Sequence, residues 1–138
     1  MRMAPSGMVG PIGAAAGVAN LNLIDTLGLI ANAGIVGADL NTKMRAALAD
    51  HPHVGDVRGE GMICAVEFVN DKADRVFYDA ADKIGPQIAA KLLEQDQIIA
   101  RAMPQGDILG FAPPFCLTAQ EADRIITATA RAVKAVLG

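Results

Sequence analysis

Residues 96–118, DQIIARAMPQGDILGFAPPFCLT, constrain the fold more than any other stretch of the chain. Ile98 to Arg101 reads as a short strand that ends in a lone arginine. A Gly-containing turn follows, and Asp107 to Phe111 reads as a second strand before the Pro113-Pro114 pair. Thr118-Ala119-Gln120-Glu121 then fits a capping box, with Thr118 as N-cap and Glu121 at the third helical position. Two strands that run straight into a capped helix point to mixed α and β packing. An arginine at a strand end beside a turn is also well placed to hold a carboxylate, because its planar fork of donors matches two oxygens.

The rest of the chain extends this pattern. Residues 1–10 are irregular and rich in Gly, Pro and Met, and residues 11–138 form one domain. Pro11 suits a first helical position, so a helix is predicted over Ile12 to Thr26, with Gly28 as the break. A second helix is predicted from Leu29 to Ala49. Ala33, Val36, Leu40, Met44, Ala47 and Leu48 recur on it at three- and four-residue intervals, as one buried stripe does. Val54 to Arg58 and Met62 to Val69 read as strands joined by Gly59-Glu60-Gly61. Both alternating faces of the second strand are largely apolar, which predicts a central place in its sheet. A polar loop over 70–81 leads to a helix from Asp82 to Gln95, with Ile84, Ile88, Ala89 and Leu92 inward and Pro86 confined to the first turn. The last helix puts Ala122, Ile126, Thr129, Val133 and Val136 inward. The order α-α-β-β-α-β-β-α predicts an α+β fold, a small, mostly antiparallel sheet covered by helices.

Composition narrows the function. Hydrophobic residues make up 52% of the 138, enough for a core, but aromatics are only 4%, so aliphatic side chains must form most of it. A net charge of −3 gives no electrostatic footprint for nucleic acid. Cys64 and Cys116 are too few and too far apart for a disulfide framework or a paired metal motif, and a reducing, cytoplasmic setting suits them. His51 and His53 lack partners at metal-ligand spacing. Residues 1–40 carry only Arg2, Asp25 and Asp39 as charges, but Gly, Ala, Pro11, Asn20 and Asn22 make a poor export signal or membrane span. A buried helix pair is the expectation there, and no membrane partner.

Several words then fall in a telling order: Gly13-Ala14-Ala15-Ala16 with Ala19-Asn20-Leu21, Val57-Arg58-Gly59-Glu60-Gly61-Met62, Arg101-Ala102-Met103-Pro104 and Ala112-Pro113-Pro114. Together they resemble the C-terminal small domain of class III, pyridoxal-phosphate-dependent aminotransferases, from Pro11 onward. The resemblance implies a fold-type I small domain that closes over the cofactor site, and a parent reaction that moves an amino group between an amine or amino acid and a keto acid. It also implies that Arg101 holds the substrate carboxylate and that Arg58 is structural. The family's phosphate-contacting threonine falls where this chain has Ser6, although the surrounding Ser6-Gly7-Met8-Val9-Gly10-Pro11 departs from the usual Thr-Tyr-Ser-Gly-His-Pro.

Pyridoxal-phosphate chemistry needs a lysine for the internal Schiff base. Lys43, Lys83, Lys91 and Lys134 read as solvated helix positions and Lys72 as a loop residue. The family's catalytic lysine lies upstream of the region that matches. Two readings follow. The chain is a portion of an aminotransferase, with no cofactor of its own, not catalytically competent alone and completed by a large domain. Alternatively it is a free-standing, non-enzymatic module that dimerises.

Overall fold

The structure is a computed structural model that describes residues 10–104 and 107–138. Four helices and a four-stranded sheet follow the expected order. Helix α1 spans Pro11–Thr26 with proline at its first position, and α2 spans Leu29–Leu48. Strands β1 (Val54–Arg58) and β2 (Cys64–Phe68) come next, followed by α3 (Ile84–Asp96). Strands β3 (Arg101–Ala102) and β4 (Ile108–Phe111) and helix α4 (Ala119–Leu137) complete the fold. The sheet order is β1-β2-β4-β3, every neighbouring pair antiparallel, so β2 takes the interior place its apolar pattern predicts.

Helices α2, α3 and α4 carry the inner face. Met62, Cys64, Val66, Phe68, Leu109 and Phe111 meet Leu40, Met44, Leu48, Ile88, Leu92, Ala122, Ile126 and Val133 in one core. Leu40, Met44, Val66, Phe68, Ile88, Leu92, Leu109 and Val133 are wholly removed from water. Each such aliphatic or aromatic side chain contributes about 1.5–3 kcal/mol by its burial, so this aliphatic core needs no tryptophan. On α2 the stripe holds except at Ala47, which is exposed because it lies to the side of the line Leu40–Met44–Leu48. Gly37 and Asn41 replace it on the buried face.

Two expectations need correction, and one is met on a single face. Helix α1 has no buried residue. It packs chiefly on α2, and one neighbour covers only part of a helix that is apolar all round, so the expected buried pair is half realised. The sheet is covered by helices on one face only. Ile63 is 64% exposed, and Ala65 and Glu67 beside it are half-buried. Finally, Ile98 to Ala100 lie outside any strand, and the β3 ladder begins at Arg101 instead of ending there.

Candidate functional site

The uncovered face of the sheet is built by register. In an antiparallel pair, residues directly opposite one another point to the same side. Val57, Val66, Leu109 and Ala102 pair across the four strands, and Val66 and Leu109 are fully buried, so this row faces the core. The adjacent row, Arg58–Ala65–Gly110–Arg101, therefore lies on the opposite, open face. A second open row holds Asp56, Glu67 and Ile108. Met103 continues that row, its amide donating to the Ile108 carbonyl at 2.9 Å.

The two arginines of the first row differ in surroundings. Arg58 Nη1 donates to Glu67 Oε2 at 2.6 Å and to Asp56 Oδ2 at 3.0 Å. Those two carboxylates, Glu67 first, raise the guanidinium pKa above its ordinary value. Arg58 thus sits in an ion pair, in keeping with the structural place expected of it. Arg101 is exposed and, among the described residues, makes no hydrogen bond or ion pair. Ala65 and Gly110 stand between the two arginines, so the floor of the row is low. A Cβ on Gly110 would meet Met103 Cε at 2.6 Å, which places the methionine's tip over the glycine, directly across from Arg101.

The turn beside this face is clamped from below. Asn41 is buried on α2, and its Nδ2 donates to Gly37 O and Gly61 O at 3.0 Å and to Ile63 O at 3.3 Å. Its Oδ1 touches the place a Gly59 Cβ would take, and Gly37 lets the Gly61 carbonyl come against the helix backbone. Gly61 itself has φ +54°, which glycine adopts without cost. The glycines of Arg58-Gly59-Glu60-Gly61 serve backbone approach and a positive φ. Asn41 was not legible as the clamp. Its only signal is a polar residue beside Leu40 on the apolar stripe.

A cleft of about 420 Å³ lies between the 77–80 loop, the start of α3 and the β3–β4 connection, and Tyr78, Lys83, Met103 and Asp107 line it. Asp107 Oδ1 already accepts from the Gly85 amide at 2.9 Å, occupying the α3 N-terminus. Burial, then the nearby Asp107 and Asp82 charges, raise the Tyr78 pKa. Cys64 is buried, which pushes its thiol up to about 11 and makes it unreactive. Among the described residues no cluster of His, Cys, Asp and Glu could hold a metal ion.

The lysines do not suit pyridoxal phosphate. A Schiff-base lysine must reach its neutral form near working pH, which burial or a neighbouring cation achieves. Lys43 instead bridges Asp39 and Asp123, each at 2.7 Å, and Asp123 first and Asp39 next raise its pKa. Lys72 donates to the Ala49 carbonyl at 2.9 Å, and Lys91 faces Glu94 at 3.6 Å. Lys83 stands exposed at the α3 N-cap and Lys134 exposed in the last turn of α4. Ser6 lies outside the described residues.

Comparison with known proteins agrees with this architecture. The family profile of class-III aminotransferases matches residues 5–133. A diaminobutyrate–2-oxoglutarate transaminase from Halomonas elongata is 55% identical over 125 residues, 91% of this chain but 26% of that protein. A transaminase from ancestral reconstruction and directed evolution superposes with a TM-score of 0.91 at 46% identity, covering 98% of this chain and 30% of that one. An (S)-enantioselective omega-transaminase from Thermomicrobium roseum gives 0.88 at 32% identity, over 99% and 30%. An antiparallel sheet backed by helices on one face, superposing on transaminases along nearly its whole length, has the fold of a fold-type I aminotransferase domain. The chain belongs to the class-III aminotransferase family, and it spans about a quarter of the length of the curated relatives it matches. Enzymes of this class use pyridoxal phosphate.

Proposed function

We propose that this chain is one part of a class-III aminotransferase that moves an amino group between an amine or amino acid and a keto acid, and that Arg101 holds the substrate carboxylate. The observation that carries this reading is the place of Arg101 on the uncovered face, opposite Gly110 and without an ion-pair partner among the described residues. The Halomonas elongata relative is named for diaminobutyrate and 2-oxoglutarate, and both molecules carry carboxylates. A guanidinium fork binds such a group through two parallel hydrogen bonds. The remaining three-quarters of the enzyme supplies the Schiff-base lysine, so the chain alone does not turn over. Ser6 is proposed as a contact to the cofactor phosphate. When bound, pyridoxal phosphate withdraws electrons from the substrate's Cα. The task of this chain is to anchor and orient the carboxylate.

A chimera tests this, with the chain replacing the matching quarter of the Halomonas elongata enzyme. Arg101→Ala should lower single-turnover rates for carboxylate-bearing donors by about 1.5–3 kcal/mol in transition-state binding. Amines lacking a carboxylate should be much less affected. Arg101→Lys should recover only part of the loss, since an ammonium lacks the planar fork. Equal losses for both donor classes would reassign Arg101 to the fold.

A second reading, a free-standing module that self-associates, draws on the exposed apolar surface of α1. The mass of the chain in solution, with and without the complementary three-quarters, separates the two. Heteromeric assembly supports the first, and a stable homodimer indifferent to the added partner supports the second.

A further inference from the structure

The open face holds one feature that the carboxylate reading leaves unused. Between Arg101 on β3 and the carboxylates on β1 and β2, Ala65 and Gly110 form a low floor, bordered on β4 by Ile108 opposite Glu67. Glu67 lies two strands across from Arg101 and one side-chain step along. With strands about 4.8 Å apart and a rise of about 3.3 Å per residue, their Cα atoms are about 12 Å apart. An extended arginine and an extended glutamate span that gap. Glu67 is already held by Arg58 at 2.6 Å, yet its two oxygens offer about four acceptor positions, enough for a second guanidinium. An arginine stem laid flat across Gly110 and Ala65 would meet it. Met103 obstructs that course. Its Cε fills the space that a Gly110 side chain would take, beside the Arg101 carbonyl, and thioethers adapt to such shallow slots.

We propose that Met103 is a positioning residue. By covering Gly110 it keeps the Arg101 guanidinium from folding onto Glu67 and so leaves it available to a carboxylate outside the chain. This rests on the carboxylate-holding reading of Arg101 in its consequence, but its physical content is independent of that reading. Gly110 is the other half of the device. With any side chain at position 110 the slot would close and Met103 would have to stand elsewhere. A glycine inside a strand often marks such a close approach.

The test begins with the full chain and needs no activity. Phenylglyoxal attacks guanidinium groups, and an ion-paired arginine reacts more slowly than a free one. The rate at Arg101 is read by mass spectrometry of its peptide. Met103→Ala should slow modification about two- to five-fold, the range an exposed ion pair commands. Met103→Leu, which still fills the slot, should leave the rate unchanged. Glu67→Gln in the Met103→Ala background should restore it. An unchanged rate in Met103→Ala, or slowing that Glu67→Gln does not relieve, overturns the proposal. In the chimera, Met103→Ala should raise KM for carboxylate substrates while sparing kcat, and Glu67→Gln should reverse that. If the modification rates behave as stated but neither Met103→Ala nor Arg101→Ala changes KM, Met103 still positions Arg101 and the carboxylate reading is the one that fails.

Discussion

Asn41 illustrates what a single residue contributes here. One buried amide satisfies three carbonyls, two of them in the Gly59–Ile63 connection, and so ties the open face of the sheet to the helix beneath it. Residue type alone marked the glycines of that connection, and family resemblance marked Arg58 as structural. The partners, Asn41 for the turn and Glu67 for the arginine, depend on which strands and helices meet, and no local pattern encodes that. Arg101 was legible as a candidate. Met103 and Gly110 were visible only as letters until register put them opposite it. His51 gives a prediction at this scale. Its Nε2 is buried without a hydrogen-bond partner among the described residues. Burial first, then His53 and Lys72, lower its pKa from 6.5. The unfolded chain therefore binds the proton before the folded one does. This contribution leaves stability intact above the unfolded pKa and erodes it as the pH falls below that value toward the folded pKa. Thermal melts should show Tm falling from about pH 7.5 to about pH 5.5, with a shallower fall in His51→Gln. A slope identical in both chains would remove His51 as the cause.

Among the elements, α4 was the most legible, since a capping box, a helical stripe and its length agree. Glu121 Oε2 accepts from the Thr118 amide at 2.9 Å, and Thr118 Oγ1 accepts from the Glu121 amide at 3.2 Å. Thr118→Ala should cost about 1 kcal/mol of stability, read from urea denaturation. A change well under that would mean that tertiary packing holds the first turn without its cap. Strand β3 was the least legible. Ile98 and Ala100 are half-buried and pack on the core, so the segment carries a strand's apolar pattern. It lacks a ladder because β4 ends at Phe111, and Pro113 and Pro114 beyond it have no amide hydrogen to offer. Hydrophobicity reports burial, and hydrogen-bonded pairing needs a partner of matching length. Strand β2 shows the same limit. Its two apolar faces located it correctly inside the sheet, but only one of them is covered in this chain.

At the scale of the whole molecule, element order carried the α+β class, while the β1-β2-β4-β3 order emerged only with the register. Helix α1 was expected to be buried and is not. Ile12, Val18, Leu21, Leu23 and Leu27 are all more than half exposed, and Asp25 is the helix's one charge. No single helix among the described residues is long and apolar enough to cross a membrane, although α1 and α2 together, bent by 63°, form an apolar pair. A helix apolar on every side belongs inside a larger body. Alone, the chain should associate through α1. A chain beginning at Leu29 should keep the thermal transition of the parent to within a few degrees and sediment as a monomer. Loss of the transition would show that α1 is integral to the core.

Gly28 carries that expectation further. It sits at φ +60° between α1 and α2, and nothing lies within 4 Å of where a side chain would be. Likeness to the family runs through this glycine without a break, whereas cooperative folding is expected to begin just after it. Family likeness and cooperative folding therefore need not share a border. Helix α1 shares that likeness yet should draw its stability from whatever encloses it, and Gly28 is the seam at which residues 29–138 could be grafted to another scaffold with their core entire.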